Sequence, residues 1–245
     1  GNLVELVEPN PNGNGSVGAT GSLVTEYSYD PLGRLVETEQ GSQTRKFRYD
    51  SLGRLTRQKL AEHTATLNDS GVFVGVGHGN AKWGEAFVYD DRSNLIQKTD
   101  PRGVKTNFSY DLPGGGLDPL NRIQSRSYDL TGPLQPGQNI PQAPGVTYEY
   151  MATGDKTRIK KIRTDGILTE DFAYDGESRV SEYKQTVDSR GSYPMPTSYL
   201  YDTLDRLTEV HYPAQYGLTG NPRKVVAHSY DTSSRLTQMT YGGVV

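Results

Sequence analysis

Cysteine is absent from the 245 residues, so the chain has no disulfide framework, no thiolate metal site and no thiol nucleophile, and its redox compartment stays open. No apolar run approaches the roughly 20 residues of a membrane-crossing helix, and no basic-then-apolar opening marks a signal peptide; no membrane insertion is expected. Charge of one sign is missing too. The net charge is -3 with a pI near 5.9, and Lys and Arg are spread along the chain instead of forming a stripe, which argues against a nucleic-acid partner. The four histidines, His63, His78, His211 and His228, have no metal-ligand spacing. Gly75-Val76-Gly77-His78-Gly79 lacks the spacing of a phosphate loop and opens no helix, and no Gly-x-Ser-x-Gly elbow exists. No metal, no cofactor and no enzymatic activity are expected. Hydrophobic content is only 33% and mean hydropathy is -0.69, which limits the core to a modest one. The 17 Tyr far outnumber the 5 Phe, as suits rings that pack while their hydroxyls reach water or a partner.

What the chain does have is a recurring unit. Tyr29-Asp30-Pro31-Leu32-Gly33-Arg34-Leu35 returns as Tyr49-Asp50-Ser51-Leu52-Gly53-Arg54-Leu55. Looser copies begin at Tyr89-Asp90, at Tyr174-Asp175 with Arg179, at Tyr201-Asp202 with Arg206, and at Tyr230-Asp231 with Arg235. Two copies are damaged. Tyr110-Asp111 runs into a Gly-rich insertion before Asp118-Pro119-Leu120-Asn121-Arg122-Ile123 resumes the unit, and Tyr150 lacks the Asp but keeps Gly154. Successive tyrosines lie 20, 40, 21, 40, 24, 27 and 29 residues apart, so the period is near twenty and the excess is insertion.

Another ring stands two residues before each of these tyrosines: Tyr27, Phe47, Phe87, Phe108, Tyr148, Phe172 and Tyr199, with His228 in the last copy. That spacing shares a face on a strand, whereas on a helix the two side chains would diverge by about 200°. Asp30-Pro31-Leu32-Gly33 has what a type I turn asks for, with Asp first, Pro second and Gly fourth. The fourth position should be left-handed, as in a hairpin closed by a bulge; it holds Gly33, Gly53, Gly154, Asn121 and Asp205, and less suitably Ser93, Ser178 and Ser234. A lone hairpin is marginal in water, so neighbours must pair. The expected fold class is all-β: tandem hairpins forming a long, curved, spiralling antiparallel sheet, with rows of rings stacked as cross-strand aromatic pairs. The arginine after the turn should pair with the Asp four residues earlier or stack on a neighbouring Tyr, so that Arg34→Ala and Arg54→Ala mainly lower thermal stability.

The expected organisation is a single array of about eight hairpins over 1–245. The segments Pro9–Gly21, Asp69–Gly79, Pro113–Pro119, Gly132–Gly145, Ser189–Pro196 and Tyr212–Pro222 read as rim insertions, because the repeat resumes in phase after each. Gly1-Asn2-Leu3 matches Ser93-Asn94-Leu95, the back half of a unit, and Val244-Val245 could open another, so the chain is expected to be a piece of a longer one. Unpaired sheet edges make self-association an expectation as well.

Tyr-Asp-x-x-Gly-Arg-Leu in this recurrence resembles the YD repeat of Rhs proteins, a family that includes bacterial polymorphic toxins, the B and C components of insecticidal Tc toxins, and animal teneurins. The resemblance implies a spiralling β-sheet wound into a hollow shell, which in the toxins encloses a C-terminal toxic domain. It also directs attention to self-cleavage at an Asp-Pro-x-Gly-Leu motif. Asp30-Pro31-Leu32-Gly33-Arg34, Asp100-Pro101-Arg102-Gly103-Val104 and Asp118-Pro119-Leu120-Asn121-Arg122 lack the full pattern, and each is accounted for as a turn. The sequons at Asn14, Asn68 and Asn107 are near chance in a chain rich in Ser, Thr and Asn, which favours a bacterial, secreted or cell-surface protein.

The expected function is non-catalytic: a wall segment that encloses or displays a toxin or adhesive domain, with the remaining repeats and that domain as its partners. The alternative is a recognition module that binds a glycan or cell-surface receptor through Tyr193, Tyr212 and Tyr216 in the insertions.

Overall fold

The computed structural model describes residues 1–9, 22–134, 136–137, 139–190, 193–214 and 223–244. Seventeen strands carry the fold, and the only helical element among the described residues is the 3-10 turn Asp188–Arg190. The chain is all-β, and every strand pairing within it is antiparallel.

Two compact units divide the chain, residues 1–108 with 127–143 and residues 109–126 with 144–245. In the first, β1 (Glu5–Glu8), β2 (Leu23–Tyr29), β3 (Leu35–Gln40), β4 (Gln43–Tyr49), β5 (Leu55–Lys59), β6 (Glu85–Tyr89), β7 (Leu95–Thr99) and β8 (Lys105–Ser109) pair in sequence order. In the second, residues of β9 (Ser125–Asp129) pair with β10 (Val146–Tyr150). There β11 (Ile159–Thr164), β12 (Leu168–Tyr174), β13 (Val180–Val187), β14 (Tyr193–Tyr201), β15 (Leu207–His211), β16 (Lys224–Tyr230) and β17 (Leu236–Val244) follow, again each beside its predecessor.

Alternation fixes the faces. In β2, Thr25, Tyr27 and Tyr29 are covered while Val24, Glu26 and Ser28 are exposed, as the two-residue ring spacing requires. The register slips by one residue just before the tyrosine in hairpin after hairpin, at Ser28/Tyr29, Arg48/Tyr49, Val88/Tyr89, Ala173/Tyr174, Leu200/Tyr201 and Ser229/Tyr230. These are the expected bulges, and the fourth turn residue is left-handed at Gly33, Gly53, Gly154, Asn121 and Asp205, and at Ser93, Ser178 and Ser234 as well.

Burial is sparse: eight apolar and seven polar side chains are buried among the described residues, so the sheets are held by edge pairing and turn chemistry more than by a thick core. The one apolar cluster, Leu67, Phe73, Trp83 and Ala86, is built largely by the segment between β5 and β6. Part of that segment, Asp69–Gly79, reads from sequence as a rim insertion, with a flexible glycine loop at its end. Its first part is instead packed inward, with Phe73 buried, while Val76 to Gly79 stays exposed, and the flanking Trp83 and Leu67 exchange backbone hydrogen bonds at 2.9 and 3.0 Å. Its turn Asn68-Asp69-Ser70-Gly71-Val72 copies the repeat turn with Asn in place of Asp, Asn68 Oδ1 accepting the N–H of Ser70 and of Val72 at 3.0 Å.

Ser189–Pro196 also departs from the expected insertion, because β14 begins at Tyr193. Pro194 and Pro196 are tolerated there because β15 pairs only with Ser198 to Tyr201, leaving the first half of β14 with a neighbour, β13, on one side alone. Arg223 Nη2 donates to the Pro196 carbonyl at 2.8 Å.

Candidate functional site

The repeated feature is the junction between consecutive hairpins, built from Tyr, Asp and Arg. Within one turn, Asp30 Oδ1 accepts the N–H of Leu32 at 3.0 Å and of Arg34 at 2.9 Å, while Oδ2 takes Arg34 Nε at 2.6 Å. Asp50, Asp175, Asp202 and Asp231 repeat all three bonds on their own turns. A carboxylate serves where an amide would serve less well, because it accepts from three donors at once and one of them is charged. Asp90 keeps its backbone bonds, but Asn94 replaces the arginine and donates Nδ2 to Asp90 Oδ2 at 2.8 Å.

The same arginine then reaches forward to the next hairpin. The Arg34 guanidinium lies 5.0 Å from the centre of the Tyr49 ring and donates Nη1 to the Asp50 carbonyl at 2.9 Å. Arg54 does this to Tyr89 and Asp90, Arg179 to Tyr201 and Asp202, and Arg206 to Tyr230 and Asp231, with ring distances of 4.7 to 4.9 Å. The tyrosine answers backward. Tyr89 donates its hydroxyl to the Leu55 carbonyl at 2.9 Å, and Tyr29, Tyr150, Tyr174, Tyr201 and Tyr230 donate to Leu3, Ile123, Ile159, Val180 and Leu207 at 2.7 to 3.0 Å. One phenol bond contributes about 1 kcal/mol and one cation–π contact about 0.5–1 kcal/mol, so a junction gains on the order of 1–2 kcal/mol. Repetition makes that term decisive, since an array is a sum of unit and neighbour energies.

Rings therefore stack on guanidinium groups and not on one another. Among the described residues the one close ring pair is Phe172 with Tyr183, cross-strand partners with centroids 5.1 Å apart, so the expected rows of aromatic pairs are replaced by alternating Arg and Tyr. A guanidinium over a ring satisfies the π-face and the aspartate together, which a second ring cannot do.

In the damaged repeats the roles move. Asp111 does not clamp the turn; Asp118 does, because the Gly-rich insertion is extruded between them and closed by an Asp111–Leu117 bridge. Asp118 is fully buried and takes Arg122 Nε at 2.6 Å, and Arg122 stacks 4.3 Å from the centre of Tyr150. After Tyr150 the turn is longer, and Asp155 with Arg158 supplies the pair, Arg158 lying 5.1 Å from the Tyr174 ring. Sequence spacing misses both residues, although Arg158-Ile159 ahead of an alternating strand is the signal.

Serine at a left-handed position acquires a reason. Ser93 Oγ accepts Arg54 Nη1 and Ser234 Oγ accepts Arg206 Nη1, each at 3.3 Å, while Asp205 Oδ1 takes Arg179 Nη1 at 2.6 Å. The side chain recovers through the preceding hairpin's arginine part of what the backbone loses, about 1–2 kcal/mol for a left-handed residue with a Cβ. Ser93→Gly is accordingly expected to be nearly neutral, and Ser93→Ala to cost about 1 kcal/mol, read as the shift in urea unfolding midpoint. Equal effects would remove the hydroxyl from the account.

The turn carboxyls sit below the usual range. For Asp30 and Asp231 the first cause is the backbone N–H of the arginine four residues on, and for Asp118 it is the Arg122 side chain. For Asp50, Asp175 and Asp202 burial pulls upward but is outweighed by the same arginine bonds. A depressed folded pKa contributes stability that is complete above the unfolded value of about 3.9 and disappears as pH falls through the folded values. Far-ultraviolet circular dichroism should therefore stay level from pH 7 to about 4 and collapse only below it. A transition well above pH 4 would take the turn carboxylates out of the account.

Of the three recognition tyrosines, the two described, Tyr193 and Tyr212, are not brought together. Tyr193 opens β14 opposite Val187, and Tyr212 follows β15, whose His211 pairs with Ser198. The two therefore sit about four residues, or about 13 Å, apart along the strand direction. Both are exposed, at 37% and 45%. Tyr216 lies outside the described residues. No group of three or more His, Cys, Asp or Glu able to hold a metal exists among the described residues, and no helix there is long and apolar enough to cross a membrane.

The RHS repeat model matches residues 29–65, a window that holds the two cleanest copies of the unit. No curated protein matches the chain. Among solved structures, the crystal structure of TcdB2-TccC3 without its hypervariable C-terminal region aligns over 92% of this chain and 10% of its own, with a TM-score of 0.59 and 14% identity. The chain thus spans about a tenth of that structure, and the likeness is one of fold. The Photorhabdus luminescens Tc holotoxin pore aligns over 91% of this chain and 13% of its own at 11% identity, with a TM-score of 0.34 that supports no argument. Beyond the matched window the same carboxylate clamps recur at Asp118, Asp175, Asp202 and Asp231. With that recurrence and the shared fold, the chain carries an RHS repeat over residues 29–65 and is similar in fold to the TcdB2-TccC3 structure.

Proposed function

We propose that this chain is a non-catalytic wall segment of a secreted bacterial RHS-repeat shell, and that the shell encloses or displays a toxin or adhesive domain lying outside the segment. The observation that carries this reading is the forward coupling of Arg34, Arg54, Arg179 and Arg206 to the next Tyr-Asp, which joins hairpins edge to edge. Paired strands leave few open backbone groups for a guest polypeptide to grip, and closed pairing is what a container needs.

Limited proteolysis of the longer protein containing this segment tests the proposal. A domain carried beyond the repeats should resist digestion, and Arg54→Ala with Arg206→Ala should expose it. Digestion at one rate with and without intact junctions would refute enclosure.

A further inference from the structure

A recess in the first unit belongs to no junction. Its floor is a row of cross-strand partners, Arg57 with Ala86, Ala86 with Thr99, and Thr99 with Lys105, running over β5, β6, β7 and β8. The two small central residues leave space, and the two cations stand at the ends of the row, about 14 Å apart at their Cα atoms. The segment Ser70 to Phe73 forms one wall, and Gly103 with Gly132 and Pro133 forms the other, around a cavity of about 160 Å3. Both walls come from segments between strands, so the recess is additional to the repeat.

The cations are poorly compensated. Neither Arg57 nor Lys105 has a carboxylate within 4.0 Å among the described residues, whereas every turn arginine named above has one. Arg57 donates Nη1 to the Thr56 carbonyl at 2.6 Å, but its Nε is shut from solvent without a partner. Its cross-strand neighbour is Arg48, a like charge directly opposite, which is unfavourable in a sheet. Burial first and Arg48 second pull the Arg57 guanidinium below its ordinary pKa. Two acids stand near without pairing with these cations: Asp69 acts on Arg57 from a distance but is committed to Lys82 at 2.6 Å, Trp83 Nε1 at 3.0 Å and Arg48 at 3.6 Å, and Asp129 interacts with Lys105 only beyond ion-pair distance. Burying a cationic fork beside another cation is costly unless an anion completes it.

We propose that the recess binds a small organic carboxylate, its charge taken by Arg57 and Lys105 and its apolar body resting on Phe73, Val72 and Val88. Arginine offers a carboxylate two parallel donors, lysine adds a point charge, and the apolar wall selects against bare inorganic anions. The carboxylate can be that of a free small molecule or of a polypeptide C-terminus, since both present the same group.

The test is calorimetric titration of the whole chain at low salt with phenylacetate, its neutral amide, and N-acetyl-Ala-Phe with a free carboxyl. Saturable binding of phenylacetate is expected, at least tenfold weaker for the amide and at least tenfold weaker in Arg57→Gln. Tighter binding of the peptide than of phenylacetate would assign the site to chain ends, and weaker binding to free small molecules. Because Arg57 is half-buried, Lys105→Gln provides a second variant, expected to weaken phenylacetate several-fold with an unchanged circular dichroism spectrum. Absence of binding, equal binding of acid and amide, or affinity untouched in both variants would overturn the proposal.

Discussion

Asp118→Ala should lower the free energy of unfolding by about 3 kcal/mol, the loss expected when one partner of a buried ion pair is removed. Asp118 has no solvent exposure, and its carboxylate receives the Leu120 N–H at 2.9 Å, Arg122 Nε at 2.6 Å and Nη2 at 3.1 Å, and Gln124 Nε2 at 2.7 Å. Its own N–H donates to the Tyr110 carbonyl at 2.9 Å, so this one residue closes the chain across the Gly-rich insertion. Deleting the carboxylate leaves a half-buried guanidinium, a buried amide and a backbone N–H without their acceptor, each a cost that water cannot fully meet. The comparison is Asp231→Ala, where the partner arginine is 80% exposed and solvent takes over readily. Urea unfolding of the two variants should show a large shift for the first and a small one for the second. Equal shifts would mean that burial of the carboxylate contributes nothing.

The contrast also separates what sequence spacing reveals from what it hides. The turn is legible because Asp, Pro and Gly each act on their own backbone within five residues, and strand faces are legible because a ring every second residue admits one geometry. The forward reach of arginine is not. Arg54 meets the Asp90 carbonyl across 36 residues of which most are insertion, and nothing local says which ring will face which guanidinium. Asp118 with Arg122 is legible as the resumed unit, whereas Asp155 with Arg158 after Tyr150 is not: a loop can be extruded without disturbing the ladder, and the residue that resumes the ladder inherits the role. The cluster around Leu67, Phe73 and Trp83 is hidden because its turn uses Asn68 instead of Asp, though a lone tryptophan four residues beyond the supposed rim insertion is a visible warning. The recess is the least legible of all. Its four floor residues come from four strands, and only the register aligns them.

Gly103→Ala is the second large effect, about 2–5 kcal/mol, because two independent costs fall on one atom. The residue closes the Asp100-Pro101-Arg102 turn with φ of 91°, a left-handed conformation that a Cβ disfavours by about 1–2 kcal/mol. A Cβ placed there would also stand 2.5 Å from the Pro133 carbonyl oxygen and 3.1 Å from the Phe73 ring. Neither neighbour is a flexible tip: one is backbone and the other is held in the Leu67–Trp83 cluster, so overpacking adds about 1–3 kcal/mol. Gly75→Ala isolates the first cost, since its φ is 98° and nothing lies within 4 Å of the added atom. A thermal melt should place Gly75→Ala between the parent chain and Gly103→Ala. If the two variants melt together, the segment carrying Pro133 does not pack on the turn as described, and the wall of the carboxylate recess loses its support with it.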